Sequence, residues 1–141
     1  MTIKSLICTA AGAIGGFITY FVGGWTIDLQ TLCLFMATDF ITGLMVAAVF
    51  KKSNKTANGA LNSKVSFKGI CKKFMILLFV IIAHMLDAYL GVNFLRSGVI
   101  VGFIINELIS IVENAGLMGI TSPIIEEAVE ILKKKVTDDE N

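Results

Sequence analysis

The segment from Lys51 to Lys73 constrains this chain more than any other, because it carries seven lysines and no acidic residue and lies between long apolar runs. Lysines at that density are retained on the cytoplasmic side of a bilayer, so the loop predicts its own location and the direction of each helix that leaves it. Only 16 % of positions are charged and 55 % are hydrophobic, against about 25 % charged in soluble domains. The mean hydropathy of +0.80 agrees. Residues 1–141 therefore read as a single integral membrane domain. The net charge of +1 hides a separation in which lysines gather in the loop and tail while acids sit inside apolar runs.

Four spans are expected, at about 5–22, 29–50, 74–90 and 98–113, given that a crossing needs roughly 20 apolar residues. The fold class is all-α, with four transmembrane helices and an amphipathic helix over 122–136. A three-span arrangement, with the glycine-rich first segment lying along the surface, is the alternative. With four spans both termini are inside, together with eleven of the twelve basic residues, which leaves Arg96 outside. Trp25 and Asp28 suit the outer interface. Lys51, Lys52, Lys55, Lys64, Lys68, Lys72 and Lys73 are expected at the inner membrane surface, the last four on an interfacial helix that precedes the third span. Anionic phospholipid is the anion they would meet.

Small residues mark the helix faces that pack. Gly12 and Gly16, Gly43 and Ala47, and Gly98 and Gly102 each stand four apart, the spacing that lets membrane helices approach closely within a chain or between copies. On the fourth span Gly98, Gly102, Asn106, Ser110 and Asn114 form one stripe of small and polar residues, with Glu107 and Glu113 beside it. Asp39, His84 and Glu107 each fall about ten residues into their spans. At about 1.5 Å per residue all three come near the bilayer centre, where a charge costs on the order of 2.5 to 3.5 kcal/mol. A shared polar layer of these three is the expectation, with Glu113 and Asn114 near the inner boundary, Glu113 within reach of the loop lysines, and Asp87 near the outer one.

The motifs of common enzymes are missing: there is no HExxH, no G-x-S-x-G, no P-loop and no Cys/His spacing for a metal, and the chain has a single histidine. Cys8, Cys33 and Cys71 read as small apolar residues. No cofactor is expected. The basic loop lacks the extent and aromatic interleaving of a nucleic-acid groove. The first apolar run has no convincing cleavage site and reads as an uncleaved helix. Ser122-Pro123 looks like a helix start, followed by an apolar side of Ile124, Ile125, Ala128, Val129, Leu132 and Val136 and by closing lysines 133–135. Thr137 to Asn141 are expected to fray.

Several strings in order, DFITG at 39–43, LNSKVSFKGICKK at 61–73, NELISIVEN at 106–114 and GITSP at 119–123, resemble phage holins of the toxin-secretion and phage-lysis type. The resemblance spans about Asp39 to Lys135. It departs at Thr121, where that family usually has the first of two prolines, and it says little about the first span. It implies a homo-oligomer in the bacterial cytoplasmic membrane that opens lesions, releasing a muralytic enzyme (endolysin) or a toxin. Midplane acids beside a histidine also suit a small proton- or ion-coupled transporter or channel, although no inverted repeat is visible.

Overall fold

A chain whose backbone must bond to itself in lipid has few choices, and this one is helical throughout its spans. The computed structural model describes residues 2–120 and 122–138, with side chains described through Lys135. Its helices are α1 (Ile3–Phe21), α2 (Ile27–Met45), which runs on into a wider π-helical turn at Val46–Phe50, α3 (Ser63–Leu90), α4 (Leu95–Leu117) and α5 (Pro123–Asp138). The first four are long and apolar enough to cross a membrane. Tight turns join α1 to α2 and α3 to α4 at one end of the bundle, the turn end. The basic loop and α5 lie at the other, the loop end.

Local chemistry sets these boundaries. Lys51 adopts the left-handed conformation at φ 51° and ends the π-helical turn, after which Lys52 N–H donates to the Val46 carbonyl at 3.1 Å. Gly59, at φ +70°, approaches so closely that a Cβ there would meet the Lys51 carbonyl oxygen at 2.2 Å. Only glycine closes this loop. Asn62 Oδ1 then accepts from the Lys64 amide at 3.0 Å and caps α3. At the turn end Gly91 ends α3 at φ 69°, and the Asp87 carboxylate accepts the Leu95 and Arg96 amides at 3.0 and 2.9 Å. Asp87, expected at a boundary, caps the next helix.

The third span begins earlier than hydropathy suggests. With Asn62 as cap and no proline before Phe74, the lysine-rich segment forms the first turns of one 28-residue helix, which runs through Gly69. No separate interfacial helix precedes it. At about 1.5 Å per residue such a helix is about 42 Å long and overreaches a hydrocarbon core of about 30 Å.

Three helices form the body. On α2 the inward positions are Leu29, Leu32, Met36, Asp39 and Val46; on α3 Ile76, Val80, Ala83 and Asp87; on α4 Arg96, Ile100, Glu107 and Asn114. Their separations alternate between three and four or sum to seven, the spacing of a left-handed helix seam. Val22, Leu29, Leu32, Met36, Ile76, Val80 and Ile100 make a continuous apolar core, which lies toward the turn end. Large apolar side chains such as Ile41, Phe67 and Phe74 point outward, as a lipid-facing surface requires.

α1 differs from the rest. None of its residues is buried, and it meets the body at its C-terminal end, where Val22 enters the core. Among the described residues, Gly12 and Gly16, and likewise Gly98 and Gly102 on α4, have no atom of another segment within 4 Å of a built Cβ, so these glycines pack against no other helix there. Gly43 does face another helix, its built Cβ lying 3.7 Å from Asn114 Nδ2, and Ala47 is buried. α5 rests Val129 on the body and joins it through Lys133 and Glu113 at 2.7 Å. The departure at Thr121, the side chain of Val136 and the end of the tail expected to fray fall outside the described residues.

Candidate functional site: a charged seam inside the bundle

Where the seams of α2, α3 and α4 pass from the turn end into the loop-end half of the bundle, apolar residues give way to ions. Asp39 occupies the position that continues Leu29, Leu32 and Met36; Glu107 continues Arg96 and Ile100. Lys73 lies one step before Ile76 on the α3 seam. Its Nζ donates to Asp39 Oδ2 at 2.7 Å and to Glu107 Oε2, so two carboxylates share one ammonium. Their side chains are 11 % and 4 % exposed, against 18 % for Lys73. A charge buried this far is tolerated only when paired, and the pairing here draws three helices together.

Two turns beyond Glu107 toward the loop end, Asn114 Nδ2 donates to Asp39 Oδ1 at 3.2 Å, to the Asp39 carbonyl at 3.3 Å and to Thr42 Oγ1 at 3.0 Å. Thr42 in turn donates to the Asp39 carbonyl at 3.1 Å. Ser110 lies between Glu107 and Asn114 on the same face of α4. Asp39, Lys73, Glu107, Ser110 and Asn114 line a cavity of about 710 Å³ between α2, α3, α4 and the loop, along with Ser53, Lys55, Asn62 and Ser66. Among the described residues no side-chain polar atom is left buried without a partner.

Of the expected polar layer, Asp39, Glu107, Ser110 and Asn114 come together. Asn106 also lines the cavity but is exposed. Glu113 turns outward to Lys133 of α5 instead of to the loop lysines. His84 does not join the layer. Because α3 starts at Ser63, His84 stands about 16 Å beyond Lys73 at 1.5 Å per residue. It lies beside Gly23, where a built Cβ would sit 2.6 Å from its Nδ1.

Lys73 replaces it. Hydropathy puts this lysine on the membrane surface with its neighbours, yet among the described residues the other six basic residues of the segment make no buried ion pair, and Lys73 makes two. The available signal was phase: Lys73 falls in register with Ile76, Val80, Ala83 and Asp87.

Arg96, the one basic residue at the turn end, was also missed. Its Nε donates to the Val22 carbonyl at 2.6 Å, Nη2 to Thr26 Oγ1 at 2.8 Å and the Gly24 carbonyl at 3.3 Å, and Nη1 to Asp28 Oδ2 at 3.3 Å. One guanidinium thus fastens the α1–α2 turn to the start of α4. Gly23, at φ +80°, leaves room for it: a Cβ would sit 2.8 Å from Nε.

Helices of membrane length, ions paired inside their bundle, and no cluster of metal-ligating side chains among the described residues define a multi-pass membrane protein of small helical-bundle type. Comparison narrows this class. Residues 16–134 match the bacteriophage holin family, and the chain belongs to that family. An uncharacterized protein of Halalkalibacterium halodurans is 36 % identical over 137 residues, covering 92 % of this chain and 96 % of that protein. One from Listeria monocytogenes is 38 % identical over 131 residues, with 92 % and 86 % covered. An uncharacterized 14.9 kDa protein from the nagH 3′ region of Clostridium perfringens is 34 % identical over 124 residues, with 86 % of each chain covered. The family match starts at Gly16 and so includes part of α1. No solved structure matches the chain.

Proposed function

We propose that this protein is a holin that gathers in the bacterial cytoplasmic membrane, associates with its own copies, and opens nonspecific lesions through which an endolysin or a toxin leaves. Both termini and the basic loop face the cytoplasm in this reading, and the turn end faces out. Family membership supports it. The observation that carries it concerns α1. This helix is the least buried of the four spans, and none of its residues is covered by the rest of the bundle. Its open face at Gly12 and Gly16 suits another helix, and a second copy provides one.

The charged seam supplies the step from packing to opening. While single chains are dispersed in lipid, separating Lys73 from Asp39 and Glu107 would leave charges in hydrocarbon, and the bundle stays shut. In a crowded patch, water brought between copies can solvate the same groups, so the closed arrangement loses that advantage. Moving one elementary charge through the membrane field is worth about 2.3 kcal/mol per 100 mV. A fall in the potential then shifts the balance between the two arrangements.

The test is to express the chain in a bacterium that holds an unexported muralytic enzyme, following turbidity and dye entry. Abrupt lysis with dye entry is the expected result, and paired replacement of Asp39 by Asn and Glu107 by Gln should shift its timing at equal expression. A second reading, an ion-coupled transporter, is favoured by the paired charges that line the cavity. It predicts a substrate-dependent pH change without lysis.

A further inference from the structure

The cavity at the loop end is graded in chemistry along its depth. At its mouth stand Lys55 from the loop and Lys72 from α3, with Ser53, Asn62 and Ser66 around them. Neither lysine makes an ion pair among the described residues. Midway are Lys73, Ser110 and Asn114 with their carboxylates, a hydrogen-bonding belt. Beyond it along the bundle axis, Met75 and Phe79, both about half exposed, and the half-buried Phe103 form an apolar end that opens on the outer, lipid-facing surface.

We propose that this cavity binds one anionic phospholipid of the cytoplasmic leaflet, its phosphate at Lys55 and Lys72, its glycerol esters at the belt and part of one acyl chain against Phe79 and Phe103. The proposal rests on the membrane orientation argued above. Charge and shape choose this occupant over others. Two lysines at the entrance repel an organic cation. Asp39 and Glu107 stop a small free anion from going deeper, and the apolar end is poorly suited to water. A volume of about 710 Å³ lies in the range of roughly 300 to 1,000 Å³ typical of ligand sites, enough for a headgroup and part of one chain. Such a lipid fills the gap between α2 and α3, so its departure would loosen the helices that the charged seam ties.

The test uses the full chain purified from membranes in mild detergent, with lipid retention read by native mass spectrometry after exposure to phosphatidylglycerol or phosphatidylcholine vesicles. Preferential retention of one phosphatidylglycerol per chain is expected. Exchanging Lys55 and Lys72 for Gln should weaken it about thirtyfold, each lysine being worth roughly fivefold. Exchanging Lys64 and Lys68, which do not line the cavity, removes the same charge and should change retention little. Ser66→Phe narrows the mouth without altering charge and should also reduce retention, with helix content checked by circular dichroism. Equal losses in the two lysine pairs would assign the effect to diffuse surface charge and overturn the proposal. So would equal retention of both lipids, or displacement by inorganic phosphate alone. A chain that fails to lyse cells yet keeps its lipid fails the proposed function and leaves this site standing.

Discussion

The two ends of the bundle both bury a basic side chain, and they hold it in opposite ways. At the turn end Arg96 meets two backbone carbonyls, a hydroxyl and a carboxylate, above a dry apolar core. Guanidinium offers several donors in a rigid fork, so one residue can fasten several fixed acceptors. At the loop end Lys73 depends on two side-chain carboxylates beside an open cavity. Ammonium is a point charge on a flexible stem, and its partners can move or take up water. In the proposed opening, the turn end is the clamp and the loop end the part that changes.

The strongest way to break this contrast is Arg96→Ala. Removing one member of a buried ionic network costs about 3 to 5 kcal/mol, and here the α1–α2 turn loses its anchor as well. Unfolding by sodium dodecyl sulfate in bicelles, followed by circular dichroism, should show this drop together with protease access between Val22 and Asp28. Next comes Lys73→Met, which strands two carboxylates and should cost about 3 kcal/mol in the same assay. Adding Asp39→Asn and Glu107→Gln should recover most of that loss while leaving lysis timing altered. A clamp would not behave so: Arg96→Ala should not be rescued by Asp28→Asn, because backbone carbonyls remain unpaired.

Gly23→Ala sharpens the same point with one methyl group. The left-handed conformation and the approach of His84 and Arg96 together should cost about 2 kcal/mol, measurable as a lower midpoint in the same unfolding assay. The smallest effect belongs to Lys133 and Glu113, whose side chains are 50 % and 52 % exposed. Exchanging Lys133 for Ala should change stability by less than about 0.5 kcal/mol.

The two ends also differ in how far they could be read from the chain. Asp39 and Glu107 were legible because a carboxyl halfway along an apolar run has no neutral explanation. Lys73 was not, since it sits in a basic segment where every lysine has an ordinary reason to be at the surface. His84 was misplaced for a related cause: hydropathy starts the third span at Phe74, whereas the Asn62 cap starts the helix at Ser63 and shifts the depth of everything counted from its beginning. In the sequence Arg96 reads as the single outer cation, but its partners come from a turn some seventy residues away.

Hydropathy, lysine placement and helix-breaking residues are properties of local stretches, and for that reason the sequence alone determined the all-helical character, the four apolar spans and the presence of acids within them. Which ions meet is a property of the packed bundle. Only the tertiary structure decided that Lys73 ties Asp39 to Glu107 and that Arg96 secures the first turn, because each pairing needs three helices in register, and register depends on the lengths and rotations of all of them at once.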